Sequence, residues 1–137
     1  MDQPQDLVDR LMRATNDHDL DAITACFGVD YRNETPVHPR RGFRGRDQVR
    51  RNWEQILAFV PDLHAEVLAR ATDGTSAWTE WAMAGTRLDG TPHEMRGVIV
   101  FDVQGGVATS ARFYLEPVDP LEVDTVDDAV RDQVVRR

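Results

Sequence analysis

Residues 63–86 read LHAEVLARATDGTSAWTEWAMAGT, and their spacing decides the fold class. Apolar side chains recur at every second position through Leu63, Ala65, Val67 and Ala69. That period belongs to a strand with one buried face, because successive side chains point to opposite sides of a sheet. Asp73-Gly74 supplies a hairpin turn, and Ser76 to Thr86 reads as a second long strand. Asp89-Gly90 turns the chain into a third strand over 94–103, and Gln104-Gly105-Gly106 turns it into a fourth over 107–115. Pro117 and Pro120 then stop the sheet.

Toward the N-terminus the period changes to that of a helix. Leu7, Val8, Leu11, Met12 and Ala14 form an amphipathic stripe over 5–16. Asp17-His18-Asp19 breaks it, and Asp19 is placed to cap a second short helix, LDAITACF, with Leu20, Ile23 and Phe27 on its apolar side. A short extended edge follows at 31–35, kept from turning helical by Pro36 and Pro39. Val49, Trp53, Ile56, Leu57 and Val60 then give a third helix over 46–60, ended by Pro61. The expected fold is α+β: three N-terminal helices against an antiparallel sheet, which, if it is strongly curved, encloses with them a cone-shaped space for one small-ligand pocket. Residues 1–118 are read as that domain and 119–137 as a tail. The tail's valines at 126, 130 and 134, with aspartates early and arginines late, fit either a short helix or a frayed end.

Composition narrows the functional classes. A net charge of -8 disfavours a nucleic-acid partner, since a polyanion is repelled at range. The charge is uneven: seven arginines face two acids between Arg32 and Arg51, while the first thirty residues hold seven aspartates and two arginines. A basic patch that steers an anion and simple charge balance between neighbouring helices are both open readings. With no lysine in the chain, Schiff-base chemistry and a P-loop are excluded. No GxGxxG motif is present, so no cofactor is expected. His18, His38, His64 and His93 lack a ligand spacing, and Cys26 is a single thiol in an apolar run, so no metal is expected either. No apolar stretch approaches the roughly 18 residues of a membrane span. The acidic N-terminus does not read as an export signal, which makes the cytoplasm the default location.

Three segments carry a family resemblance: HDLDAITACFGVDYRNETPVHPRRGFRGRDQVRRNW at 18–53, VPDLHAEV at 60–67 and MRGVIVFDVQGGVATSARFYLEP at 95–117. Together they resemble the SnoaL-like branch of the NTF2-like superfamily, whose relatives include ketosteroid isomerases, limonene epoxide hydrolase, scytalone dehydratase and polyketide cyclases. The resemblance implies the cone fold, but it transfers catalytic sets poorly. The isomerase tyrosine, base aspartate and protonated aspartate fall at Leu11, Thr35 and Gly97, with Glu34 one register step from the base position. The hydrolase's water-holding pair is matched by Tyr31-x-Asn33, whereas its arginine and two aspartates fall at Trp81, Met83 and Phe113. The cyclase aspartate also falls near Phe113. A pocket is implied more strongly than any one reaction.

Two sets of candidate residues follow. Tyr31, Asn33, Glu34 and His38 form the chemically capable group, with Glu34 or His38 as proton carrier and Tyr31 and Asn33 holding water or a substrate oxygen. Trp81, Met83, Ile99, Phe101 and Phe113, joined by Trp53 of the third helix, share the inner side and read equally as packed core or as walls for an apolar small-molecule ligand. Trp78, Glu80, Arg96 and Arg112 lie on the other face, where an ion-pair network or homodimer contact is expected. Three functions remain in play: a SnoaL-like small-molecule binder with cofactor-independent lyase, isomerase or cyclase activity on an apolar polycyclic or polyketide-like substrate, a non-enzymatic dimeric binding or assembly module, and an epoxide-hydrolase-like enzyme with an altered triad.

Overall fold

The structure is a computed structural model, and it describes residues 3–120 and 125–135. In chain order the elements are α1 (Pro4–Asn16), α2 (Leu20–Ala25), β1 (Phe27–Glu34), a 3-10 turn at Pro39–Arg41, β2 (Phe43–Arg44), α3 (Arg46–Phe59), β3 (His64–Asp73), β4 (Ser76–Thr86), β5 (Pro92–Gln104), β6 (Val107–Pro117) and α4 (Val126–Val134). One six-stranded sheet runs in the order β2-β1-β6-β5-β4-β3. From β3 to β6 it is an antiparallel meander. β1 joins the far edge parallel to β6, and β2 folds back antiparallel on β1.

The N-terminal helices form where the sequence places them. Asp19 caps α2 by accepting the backbone N–H of Ala22 at 3.0 Å. The break before it is made by His18, whose left-handed backbone (φ 54°) turns the chain while its ring bonds the carbonyl of Leu63 at 2.8 Å. Asn16, at the end of α1, exchanges two hydrogen bonds with the backbone of Ala65, of 2.7 and 2.9 Å, and so pins the helix to the start of β3. Leu7, Val8, Leu11 and Ala14 are buried, and α1 lies across β3, β4 and β5.

Two local readings are corrected. Phe27 is not part of the α2 stripe: the helix ends at Ala25, and Phe27 opens β1 by pairing with Ala108. The alternation in the first long strand also fails after Val67, where a bulge makes Ala69 pair with Glu80 instead of continuing the inner row. The tail contains a helix, capped by the Thr125 hydroxyl, which accepts the N–H of Asp128.

Register fixes the two faces. Ala77, Thr79, Trp81, Met83 and Gly85 line the inner face of β4, opposite Phe101, Ile99, Gly97, Met95 and His93 of β5. Gly97 has a φ of 149°, and a Cβ there would lie 2.1 Å from the carbonyl oxygen of Tyr114. Only glycine tolerates this approach between β5 and β6. On the outer face stand Trp78, Glu80, Arg96 and Arg112. The expected ion pairs among them are not formed; the Arg112 guanidinium instead lies 5.8 Å from the centre of the Trp78 ring.

Candidate functional site

β2 and the corner after it determine where α3 runs. Phe43 pairs with Asn33, and Gly45 donates its N–H to the Tyr31 carbonyl at 2.7 Å, with a positive φ of 96° that favours glycine. α3 therefore starts beside β1, and its main packing partners are β1 and α2. Between α3 and the inner face of the sheet lies a cavity of about 420 Å3. Its walls are mostly apolar: Phe27, Phe43, Trp53, Ile56, Met83, Met95, Phe113 and Leu115 all contribute. Such a chamber suits a small ligand of low polarity.

Polar groups enter it in three places. On β1, the Tyr31 hydroxyl donates to Asn33 Oδ1 at 2.7 Å. Tyr31 is 1 % exposed and packs edge-on to Phe27 with ring centres 4.8 Å apart. Burial pushes its phenol well above the ordinary value, so it stays neutral and acts only as a hydrogen-bonding group. Its bond occupies the Asn33 oxygen, and the carboxamide N–H groups are left for the cavity that Asn33 lines.

The second polar group is Glu116, close to the end of β6. His38 Nε2 sits 3.1 Å from each of its carboxylate oxygens. The loop that carries His38 is itself fixed, because Thr35 accepts the N–H of His38 through its carbonyl and donates its hydroxyl to the carbonyl of His38, both at 2.8 Å. Glu116 borders the cavity at its rim, from an outer-row position opposite Arg96 that leaves its side chain 45% exposed, and His38 holds its carboxylate.

The third is His93, at the opposite end of β5 from the level of Asn33. Asn33 is beside Ala111, Ala111 is paired with Phe101, and the inner positions Ile99, Gly97 and Met95 separate Phe101 from His93. Burial, reinforced by the nearby Arg87, holds the His93 imidazole below its usual pKa and favours the neutral ring. Thr35, Arg41 and Asn52 complete the polar lining.

Of the residues expected from sequence, Tyr31, Asn33, Trp53, Met83 and Phe113 line the cavity. Glu34 does not. Strand alternation from Asn33 turns it to the outer face, where it pairs with Arg32 at 3.4 Å and lies beside Arg112. Trp81, Ile99 and Phe101 face inward but belong to the packed core, and Trp81 is 0 % exposed with its indole N–H given to the Thr79 hydroxyl at 2.8 Å. His38 does not line the cavity; its ring acts there through Glu116. Glu116, His93, Asn52 and Arg41 were not anticipated. Extending the inner row of β5 back from Phe101 by twos reaches His93, a signal lost by starting that strand at Glu94. Glu116 pairs with Arg96 of the outer row, so period two pointed away from the cavity rim that it also lines.

A family profile described as a SnoaL-like domain matches residues 8–111. The chain belongs to the SnoaL-like family. Solved structures agree on its NTF2-like architecture. IdmH, a proposed polyketide cyclase from Streptomyces antibioticus, is 23% identical with a TM-score of 0.71, covering 83% of this chain and 92% of IdmH. An epoxide hydrolase of M. tuberculosis resembling limonene epoxide hydrolase is 20% identical with a TM-score of 0.71, covering 82% of each chain. A proposed ketosteroid isomerase from Kribbella flavida is 20% identical with a TM-score of 0.68, covering 98% of this chain and 89% of that one. At these identities the structures speak for the fold alone. No match is found among curated proteins. Among the described residues, no cluster of three or more His, Cys, Asp or Glu could hold a metal ion, and no helix is long and apolar enough to cross a membrane.

Proposed function

We propose that this SnoaL-like protein binds an apolar polycyclic or polyketide-like molecule and moves a proton on it without a cofactor, as an isomerase, cyclase or lyase. The observation that carries this reading is the cavity of about 420 Å3, because it joins apolar walls to a carboxylate held by an imidazole and to a free carboxamide donor. In this mechanism Glu116 removes a proton from a carbon next to a carbonyl and later returns it to the same or another atom. The N–H of Asn33 stabilises the oxygen on which charge develops, and Tyr31 fixes the carboxamide so that its nitrogen faces the substrate. His38 positions Glu116. The apolar walls keep water from the inner part of the chamber, where Tyr31 and Asn33 are buried, and strengthen their contacts.

The test is proton exchange in heavy water on an apolar aromatic ketone such as 2-tetralone, followed by NMR. Wild type is expected to accelerate exchange at the α-carbon, and Glu116→Gln to slow it by about a hundredfold or more. Asn33→Leu should lose most of the remaining acceleration. Binding of the ketone with no acceleration in wild type would discard the enzymatic reading and leave a binding module in its place.

We further propose that the protein is a homodimer through the outer sheet face. Trp78 is 45% exposed there, under Arg112, with Tyr114 beside them on the same face. An aromatic and arginine cluster on an exposed sheet face is suited to a subunit contact. Sedimentation should give a dimer for wild type and a monomer for Trp78→Asp; a monomeric wild type at micromolar concentration removes the proposal.

A further inference from the structure

Beyond the mouth of the cavity lies a second apolar space that the proposed reaction does not use. It is a groove of about 560 Å3 between the C-terminal end of α3 and the turn joining β4 to β5. Ile56 and His93 line both spaces, so the groove and the cavity adjoin at these two side chains. Its apolar surface comes from Ile56, Phe59, Val60 and Leu88. Phe59 at the end of α3 is 57% exposed and Leu88 in the turn is 65% exposed, so together they form an open apolar patch.

The exposure of Leu88 does not come from a loose loop. Arg87 and Thr91 close the turn with a backbone bond of 2.9 Å, and Asp89 accepts both the N–H and the hydroxyl of Thr91, at 3.0 and 2.7 Å. Arg87 donates to the Thr91 hydroxyl at 3.1 Å and to the Pro92 carbonyl at 2.6 Å. This network holds the turn in one shape, and that shape presents Leu88 opposite Phe59. A preformed apolar channel binds a flexible chain at less entropic cost than one that must be assembled.

We infer that the groove is a second subsite, which takes a linear aliphatic chain attached to the ring system held in the cavity. The inference rests on the cavity being a ligand site, as proposed above. It narrows the substrate class to a ring body carrying an alkyl tail that leaves the cavity between Ile56 and His93. The tail itself is uncharged, because the guanidinium of Arg87 is already engaged by Thr91 and Pro92 and the groove floor is hydrocarbon. The end of the tail reaches Gln55 and Asp89 at the polar rim.

Calorimetric titration with 4-alkylphenols from ethyl to decyl tests this. The short members need only the cavity, whereas the long ones must also occupy the groove. Wild type is expected to bind about fourfold tighter for each methylene buried once the cavity is full. In the double variant Phe59→Ser, Leu88→Ser the short members should bind as in wild type and the gain with tail length should vanish. If 4-ethylphenol binds but affinity is flat with tail length in wild type, or rises equally in the double variant, the subsite is refuted and the cavity reading survives. If no alkylphenol binds, both readings fall together. A change in subunit assembly in the double variant, with the tail dependence intact, would assign the groove to a protein contact and likewise overturn the inference.

Discussion

The inner face of the sheet is solid at one end and hollow at the other, although the same strands supply both. At the solid end Ala77, Thr79, Trp81, Ile99 and Phe101 are buried on the strands that α1 crosses, β3, β4 and β5. At the hollow end Met83, Met95, Phe113 and Leu115 continue the same rows but look into the cavity. The residues differ little in polarity. What differs is the covering helix: α3 packs against β1 and α2 and spans the wide end of the sheet without filling it. A ligand site has thus been made by the route of a helix, with apolar walls that a closed core could equally have used.

Truncating a large side chain in each half should separate them most clearly. Trp81→Ala removes a fully enclosed indole and leaves the Thr79 hydroxyl without its donor, so a loss of about 3–5 kcal/mol is expected in urea unfolding. Phe113→Ala removes a ring that already borders open space, and about 1–2 kcal/mol is expected, with the larger consequence falling on ligand affinity. Equal losses at both positions would mean that the cavity collapses in solution and that the contrast is false.

The boundary between the halves runs through Gly97, which sits opposite Trp81. Gly97→Ala would drive a methyl group into the Tyr114 carbonyl at a backbone angle that other residues avoid. A loss of about 2–4 kcal/mol is expected, read as a lower thermal midpoint together with weaker ligand binding, because β5 and β6 must separate where the wall begins. A stable Gly97→Ala protein with unchanged affinity would show that the close approach is dispensable.

These boundaries also explain what could be read before the structure. Period two between Leu63 and Leu115 identified the strands, since one buried face imposes alternation locally. It assigned Trp81, Met83, Ile99, Phe101 and Phe113 to one side correctly, yet it could not divide core from cavity wall, because that division depends on where α3 lies. The position of α3 in turn follows from the pairing of Phe43 with Asn33 across a loop. Glu34 was readable and was misplaced: alternation from Tyr31 and Asn33 already turns it outward. The Glu116–His38 contact joins residues 78 positions apart, one on a strand and one in a loop, and no local pattern announces it.

The smallest expected effect concerns the hollow end alone and depends on pH. His93 lies at its rim, and its folded pKa is below the ordinary 6.5 because burial and then Arg87 disfavour the charged ring. The folded state therefore binds fewer protons than the unfolded chain once pH falls below about 6.5, and stability is lost as pH drops from there through the folded pKa. Asp102, which accepts hydroxyls from Ser76 and Ser110, is likewise lowered, from 3.8, so its contribution is present above that value and is lost only in stronger acid. The His93 window therefore opens at higher pH than that of Asp102. Between pH 7.5 and 5.5 wild type should lose a few degrees of thermal midpoint, and His93→Gln should lose less over the same range. Parallel curves for the two proteins would remove His93 as the source. A flatter curve for His93→Gln would place a neutral, desolvated imidazole at the passage between cavity and groove, where it can accept a hydrogen bond without adding charge.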